Sequence, residues 1–573
     1  MSETGARETY EVPAARFRRD KLEVPRELAE LLAPNGEQVA VLALDEDGNT
    51  YPLELDGSAG VLSGPGLAKW YRRHFGRKSS TVLIQVIDVA RPRVRMTTDA
   101  RTDGPDRRGL AIGHSWVMVG DEKTETGEVF CLPPERLLTH VFICGATGSG
   151  KTFLAKALLE DALLRRIPCI AIDLKGDLSS MLLFVDSDDP LDVLPWIEAG
   201  TDEELDGRAR LREHLERFPR RQEALATARR LRETVRARVL TPCLPRGTQL
   251  GFPAAIAAPS DAAKLHEASP QDFGETLRAI TDAFVDRLYP GSRRTRIENE
   301  RTFLYEVIKW AWLNAQPLSG PEGIKRLLEL VENPPFTTIG HLSVAQYIDA
   351  ENRRNRLMNK INTLISGAER RWFEGEPLRM ELFLPSTGET RAPLSIVNLS
   401  ELDQFEDRSF VVAQIAHVVH NWMRGQPGSE EPRLLLFIDE IGGGGGRQAL
   451  FPSYPYECAA KWGLNYLLRQ GRGFGVCSAF ATQNPGDVDY KALSNCGTWI
   501  IGRLGTDRDR RKALEGASLE PLARRRAEHF LTRAEPGDFA VCSQGGAAQF
   551  IRSRWIHSYH TILSPRELSL VAR

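Results

Sequence analysis

The chain has 573 residues, 75 basic against 77 acidic side chains, 42% apolar residues and a formal net charge of −2. That balance excludes a disordered chain, a small disulfide scaffold and a uniformly basic nucleic-acid coat. A single hydrophobic core stops growing well below this length, so several packing units are expected.

Met1 to Arg19 is polar with mixed charge and has no apolar centre, so it does not read as a secretory leader. No apolar run reaches membrane-spanning length. From about Gln38 to Phe130 the chain reads as short β segments. Val39 to Leu44 and Tyr51 to Leu55 flank a turn at Asp45-Glu46-Asp47-Gly48-Asn49, as in a hairpin, and Thr81 to Val89 is rich in β-branched residues. A helical patch, Gly66 to Phe75, interrupts them. Pro92 and Asp103-Gly104-Pro105-Asp106 mark a loop before a further strand near Ser115 to Val119. A small β-rich domain, barrel-like and partly closed, is expected over residues 1–108.

At Val141 the pattern changes. Val141-Phe142-Ile143-Cys144 is a continuous apolar run, as in a strand buried on both faces, and a glycine-rich turn and an apolar helix from Phe153 to Leu164 follow it. Cys169 to Ile172, ending at Asp173, is a second such run. Leu394 to Leu399, Leu434 to Ile438, Gly475 to Ala481 and Trp499 to Leu504 continue the series. Their alternation with helices predicts a doubly wound α/β domain.

Two helical blocks separate these strands. Asp202 to Arg238 has a thin apolar stripe, and between Arg208 and Arg238 it holds eleven arginines against four glutamates. It reads as a solvated helix pair or as a collar approaching DNA. Ala263 to Phe373 contains amphipathic helices broken at Pro290-Gly291, Pro317, Pro321 and Pro334-Pro335, and reads as an inserted helical cap. The division expected is therefore 109–190 and 386–573 as the two parts of one α/β core, 191–262 as an arginine-rich insertion with a return strand, and 263–385 as the cap. The eight cysteines are scattered without a C-x-x-C pair, several inside apolar runs, which predicts a reducing, cytoplasmic setting.

Gly145-Ala146-Thr147-Gly148-Ser149-Gly150-Lys151-Thr152 fits G-x-x-x-x-G-K-[ST] and lies between a strand and a helix, the context this motif needs. The glycines turn successive N–H groups toward phosphate oxygens, and the helix N-terminus favours negative charge. Lys151 reaches the β- and γ-phosphates, and Thr152 offers a hydroxyl to Mg²⁺. Gly145 through Phe153 is the candidate ATP-binding segment. The complementary acids follow Leu434 to Ile438: Asp439 to hold the metal and Glu440 to polarise an attacking water, a pair that favours hydrolysis. Gln483, after the strand ending at Ala481, is placed to sense the γ-phosphate or the water. Arg469 and Arg472 precede that strand. Either is a candidate arginine finger across a subunit boundary, or a cation complementing a helix C-terminus.

Taken together, His140-Val141, the glycine loop, Ile170 to Leu178, Asp439-Glu440, Arg472-Gly473-Phe474-Gly475, Ala481 to Pro485 and Arg554-Trp555-Ile556-His557 resemble the HerA branch of the HerA/FtsK superfamily. The resemblance runs from about Gly109 onward. It implies a RecA-like P-loop motor that assembles as a hexameric ring, hydrolyses ATP with Mg²⁺ between subunits and translocates double-stranded DNA. By position, Lys151 and Thr152 match the family's nucleotide lysine and threonine, Asp439 and Glu440 its acids, Gln483 its polar sensor and Arg472 its trans arginine. The N-terminal β domain would then offer a docking surface to a protein partner, a NurA-type nuclease in DNA-end processing or a sirtuin-like, NAD-consuming or nuclease effector in phage defence. The chain departs from the family at Ile441 to Gly446, a glycine run where ordered helical sequence is common. Lys175, Arg447 and Lys491 are candidate contacts to DNA phosphates, each readable alone as a surface cation. A second reading makes the ring a nucleotide-regulated scaffold that controls a partner enzyme. A third, a conjugation or secretion ATPase, is disfavoured by the lack of apolar spans.

Overall fold

The computed structural model describes residues 9–13, 17–18, 21–44, 50–64, 67, 70, 81–89, 92–98, 109–119, 122–187, 189, 203–244, 247–253, 255–259, 262–290, 292, 294–443, 448–454, 456–489, 493–564 and 566–568. The chain divides into two compact units, Met1–Arg108 and Gly109–Arg573.

The first unit is built on eight strands: β1 (Thr9–Pro13), β2 (Phe17–Arg18), β3 (Lys21–Glu23), β4 (Gln38–Leu44), β5 (Thr50–Asp56), β6 (Val61–Ser63), β7 (Thr81–Asp88) and β8 (Arg93–Thr98). They form one sheet in the order β1-β7-β8-β4-β5-β6-β3-β2. Alternate residues of β4, β5 and β7 (Val41 and Ala43, Leu53 and Leu55, Val82 and Ile84) are buried with Trp70, so one sheet face makes the core. Among the described residues the end strands β1 and β2 do not pair with each other. The turn at 45–49 and most of the helical patch at 66–75 lie outside the described residues.

In the second unit β9 (Leu110–Val119), β10 (Glu122–Leu132), β11 (Val141–Cys144), β12 (Cys169–Asp173), β13 (Val235–Pro242) and β14 (Thr248–Gly251) come first. A small hairpin, β15 (Thr338–Ile339) and β16 (Leu342–Ser343), stands apart. Then follow β17 (Glu376–Pro377), β18 (Ala392–Asn398), β19 (Ser429–Ile438), β20 (Phe474–Thr482), β21 (Thr498–Gly502), β22 (Asp538–Ser543) and β23 (Ala548–Ser553). The sheet order is β10-β9-β23-β22-β21-β11-β20-β19-β12-β18-β13-β14-β17. From β21 to β17 every pairing is parallel, whereas β22, β23, β9 and β10 add on antiparallel.

Successive side chains of a strand point to opposite faces, and β11 shows both faces covered. Val141 and Ile143 pack with Leu154, Leu158 and Leu159 of the helix Lys151–Leu164, while Phe142 and Cys144 pack with Val412, Ile415 and Leu464 of the helices Phe405–Arg424 and Ala459–Gln470. This is the doubly wound α/β fold. A separate core, from Ile256 to Leu364, holds the inserted helices together. Among the described residues no helix is long and apolar enough to cross a membrane. All eight cysteines are free.

One boundary differs from the sequence reading. The helical block expected to reach Arg238 ends at Thr234, and Val235–Pro242 is a strand against β18. Val235 and Val239 are buried there, and Arg236 pairs with Glu389 at 3.1 Å, so packing against the parallel sheet overrides the arginine-rich helical pattern. The β segments read from Gln38 to Phe130 are shared between the two units: β9 pairs with β23 and belongs to the large sheet.

The helix Lys151–Leu164 is buried along nearly its whole length, including the carboxylate of Glu160. Glu160 accepts hydrogen bonds from Arg554 at 2.9 Å, from the backbone N–H groups of His557 and Ser558 at 3.0 and 2.8 Å, and from the Ser558 hydroxyl at 2.9 Å. Burial alone would raise its pKa, but Arg554, His557 and the backbone donors outweigh it and hold the carboxyl below its ordinary value. Glu160→Leu strands Arg554 and these donors, and it is expected to cost about 3–5 kcal/mol, read as a lower urea midpoint.

Candidate active site

β11, β20, β19 and β12 lie side by side and parallel, in a register that pairs Cys144 with Thr482, Phe480 with Ile438, and Ile438 with Ile172. Their C-terminal ends therefore share one edge, where open parallel sheets bind ligands. The residues that follow them, Gly145, Gln483, Asp439-Glu440 and Leu174-Lys175, meet there although they are far apart in sequence.

The glycine loop is held from both sides: Ala146 N–H donates to Arg503 O at 2.7 Å, and Gly537 N–H donates to Ser149 O at 2.9 Å. Gly148 and Gly150 have φ of 73° and 93°, the left-handed region, and a Cβ at Gly150 would stand 3.1 Å from Gly537 N. Among the described residues the N–H groups of Thr147, Gly148 and Gly150 donate to no protein acceptor. With the helix N-terminus behind them they form a concave set of donors for an anion. Lys151 Nζ folds over the loop and donates to Gly145 O at 2.6 Å and Ala146 O at 3.0 Å. Burial lowers its pKa, with Glu440 and Asp439 acting in the opposite sense.

The loop opens onto a cavity of about 730 Å³. Thr147, Gly148 and Gly150 to Phe153 form one wall, Asp439 and Gln483 lie among its lining, and Arg217, Arg552, Arg554, Trp555 and His560 line it further, with the acids Asp177 and Glu535. Gly145, Ala146 and Ser149 do not line it; the carbonyls of the first two instead hold the lysine. Thr147 Oγ1 donates to Gln483 Oε1 at 2.8 Å, which ties the loop to the end of β20.

The carboxylates at this edge have different tasks. Asp173 is saturated: it accepts hydrogen bonds from the backbone N–H groups of Lys175, Gly176, Leu178 and Ser179 at 2.7–3.2 Å, so it shapes the turn after β12. Asp439 is 3% exposed, and its Oδ2 has no hydrogen-bond partner among the described residues. Burial pushes its pKa up to about 7, Lys175 opposes this, and Asp173, Glu440 and Asp177 add to it. An unpartnered buried carboxylate oxygen and the hydroxyl of Thr152, which lines the same cavity, are hard oxygen donors of the kind Mg²⁺ takes.

That state has a stability consequence. The folded pKa of Asp439 lies above its unfolded value of 3.8, so ionisation works against folding as pH rises from about 4 through about 7, and the cost is complete above. Asp439→Asn is expected to raise the melting temperature of the metal-free protein at pH 8 by about 2–5 °C. The gain should shrink as the pH is lowered toward 4, as melting curves across pH will show.

Glu440 sits in the left-handed region with φ of 64°. Its Oε1 accepts from Thr482 Oγ1 at 3.0 Å and from Gln483 N–H at 3.1 Å, and its Oε2 is paired with Lys175 Nζ at 2.9 Å. It does not line the large cavity but an adjoining smaller one, and Lys175 and Gln483 line both. Arg472 is exposed in the turn Gly471–Gly473 before β20. β20 has nine residues, on the order of 27 Å of extended chain, so Arg472 is remote from Gln483 in its own subunit. Arg447 and Lys491 lie outside the described residues.

Trp555, named from the sequence only within Arg554-Trp555-Ile556-His557, lines the cavity. Trp555 packs on Phe153 with ring centroids 4.6 Å apart, and the Arg217 guanidinium lies 5.3 Å from the Trp555 ring. Lys156 does not line the cavity; fully buried, it donates to Ser180 Oγ at 2.7 Å and contacts His560 Nδ1 at 3.0 Å, and burial lowers its pKa to about 8. A lysine within the apolar stretch Phe153 to Leu159, five residues after Lys151, was the available signal.

Residues 118–236 match the family model described as "Helicase HerA, central domain", in line with the resemblance carried by the motifs. No curated protein matches the chain. Among solved structures it is similar to VirB4 of Thermoanaerobacter pseudethanolicus, at 14% identity over 82% of this chain and 99% of that one, with a TM-score of 0.45. It is also similar to the bacterial conjugative coupling protein TrwB, at 15% identity over 76% and 90%, with a TM-score of 0.42. The genome packaging NTPase B204 from Sulfolobus turreted icosahedral virus 2, at 12% identity over 27% and 63%, has a TM-score of 0.19.

Proposed function

We propose that this chain is an ATP-hydrolysing motor of the HerA kind that moves double-stranded DNA through a homo-oligomeric, hexameric ring. The observation that carries the reading is the meeting, at one sheet edge, of the unfilled N–H groups of the glycine loop, the Lys151 ammonium and the unpartnered oxygen of Asp439.

ATP phosphates enter the cradle of Thr147, Gly148 and Gly150, and Lys151 exchanges its two carbonyl partners for phosphate oxygens. Asp439 and Thr152 would hold Mg²⁺, which would supply charge neutralisation at the phosphates. Glu440 polarises the attacking water, and Gln483, through its bond to Thr147, carries the state of the loop to β20. Gly145, Ala146 and Ser149 shape the loop, and Phe153 supports Trp555 beside the nucleotide. Arg472, remote from its own site, acts on a neighbour's phosphates, which is why the motor needs a ring.

The first unit, residues 1–108, docks a nuclease or sirtuin-like effector, and the protein works in the cytoplasm in DNA-end processing or anti-phage defence. The test is steady-state ATPase of the purified oligomer with and without duplex DNA. Stimulation by DNA is expected, and equal turnover with and without it sinks the reading. The engagement of both Glu440 oxygens favours, as a second reading, a ring whose nucleotide occupancy assembles an effector with little translocation.

A further inference from the structure

The cavity beside Glu440 has about 270 Å³, room for a phosphate group. Its polar walls are Lys175, Arg408, Glu440, Gln448, Gln483 and Asn484. Arg408 donates through Nε to Leu402 O at 2.6 Å, and among the described residues its terminal nitrogens have no protein acceptor. It stands in the first turn of the helix Phe405–Arg424, whose N-terminal positive potential adds to its charge. The acids nearest to it in that turn are Glu406 and Asp407, and Asp407 is committed to Arg287. The cavity thus presents two cations, one without an acid partner and one borrowed by Glu440.

Lys175 is the shared element. Its side chain is 32% exposed and reaches the 12% exposed carboxylate of Glu440 at 2.9 Å. With Thr482 Oγ1 and Gln483 N–H on the other side, both oxygens of Glu440 are occupied by protein donors. A carboxylate that polarises water must accept a hydrogen bond from that water, and this one has little room to do so.

We infer that this cavity binds a backbone phosphate of nucleic acid between Arg408 and Lys175, and that the phosphate draws Lys175 off Glu440 and frees the carboxylate for water. A phosphate there also brings negative charge against Glu440, so the carboxylate is repelled as well as released. Lys175 is then a positioning residue that makes hydrolysis depend on DNA. The inference rests on the motor reading above and adds to it the site and the side chain through which DNA is sensed.

The test uses the full chain, with ATP turnover measured with and without a 30-base-pair duplex and duplex affinity measured without nucleotide across a salt series. Lys175→Ala is expected to raise DNA-free kcat by about 3-fold or more with KM for ATP unchanged, and to bring the stimulation ratio close to one. The salt slope of duplex binding should fall by about one unit. Lys175→Arg restores the ratio, which a purely structural role for the side chain would not require. Arg408→Gln weakens duplex binding about 3-fold or more and raises the DNA concentration for half-stimulation. A wild-type stimulation ratio in Lys175→Ala overturns the inference while leaving the motor reading intact. So does equal stimulation of the wild type by inorganic phosphate at the same phosphate concentration, since nucleic acid is then not the ligand. A wild-type protein that DNA neither binds nor stimulates overturns the motor reading, and the inference falls with it.

Discussion

Lys151→Ala is expected to lower ATP turnover by about 10³-fold and to abolish measurable nucleotide binding at millimolar ATP. In the nucleotide-free protein the ammonium is buried and bonded to Gly145 O and Ala146 O. Burial has already lowered its pKa, so its hydration has been removed before substrate arrives, and a phosphate meets a charge with two weak neutral partners to displace. Alanine removes that charge without touching the N–H cradle. The melting temperature should therefore change little while titration with a fluorescent nucleotide loses its signal. Retained binding at wild-type affinity would mean that the cavity of about 730 Å³ is not a phosphate site.

Glu440→Gln separates binding from chemistry. The amide is isosteric and can still accept from Gln483 N–H, but it carries no negative charge to polarise water and gives up the pair with Lys175. Turnover should fall about 10²- to 10⁴-fold while nucleotide affinity stays near wild type, as single-turnover kinetics and equilibrium titration will show. If hydrolysis persists in Glu440→Gln, the base is elsewhere. If turnover is lost but a partner effector still assembles and works, the scaffold reading gains over the translocase reading.

The parallel core was legible because strands buried on both faces leave unbroken apolar runs, so β11, β12, β18 and β20 could be placed within one or two residues, while β19 starts at Ser429, ahead of the apolar run read from Leu434. The glycine loop carries its own local pattern. Val235 to Arg238 misled because its arginines continue a helical charge pattern, and only contact with β18 makes it a strand. β9 and β10 alternate like any antiparallel pair, and nothing local says which sheet they join. The wall made by Arg217, Arg552, Arg554, Trp555 and His560 comes from an insertion, from the end of β23 and from the segment after it, which tertiary pairing alone brings to the loop. The Lys175–Glu440 pair spans 265 positions, a separation at which no spacing rule operates. Lys175 was read from the sequence as a surface or DNA cation, with no hint of its hold on a carboxylate.

Glu160 and Arg554 are separated by 394 positions, yet their contact seats the helix that begins at Lys151. At ribosomal rates of about 5–20 residues per second, Glu160 leaves the tunnel about 20–80 s before its arginine does. Through that interval a carboxylate destined for a dry interior has no counter-charge, and the sheet lacks the strands that β21 to β23 will supply. A nascent chain therefore cannot close its nucleotide cavity early, and ATP binding becomes a property of the finished chain.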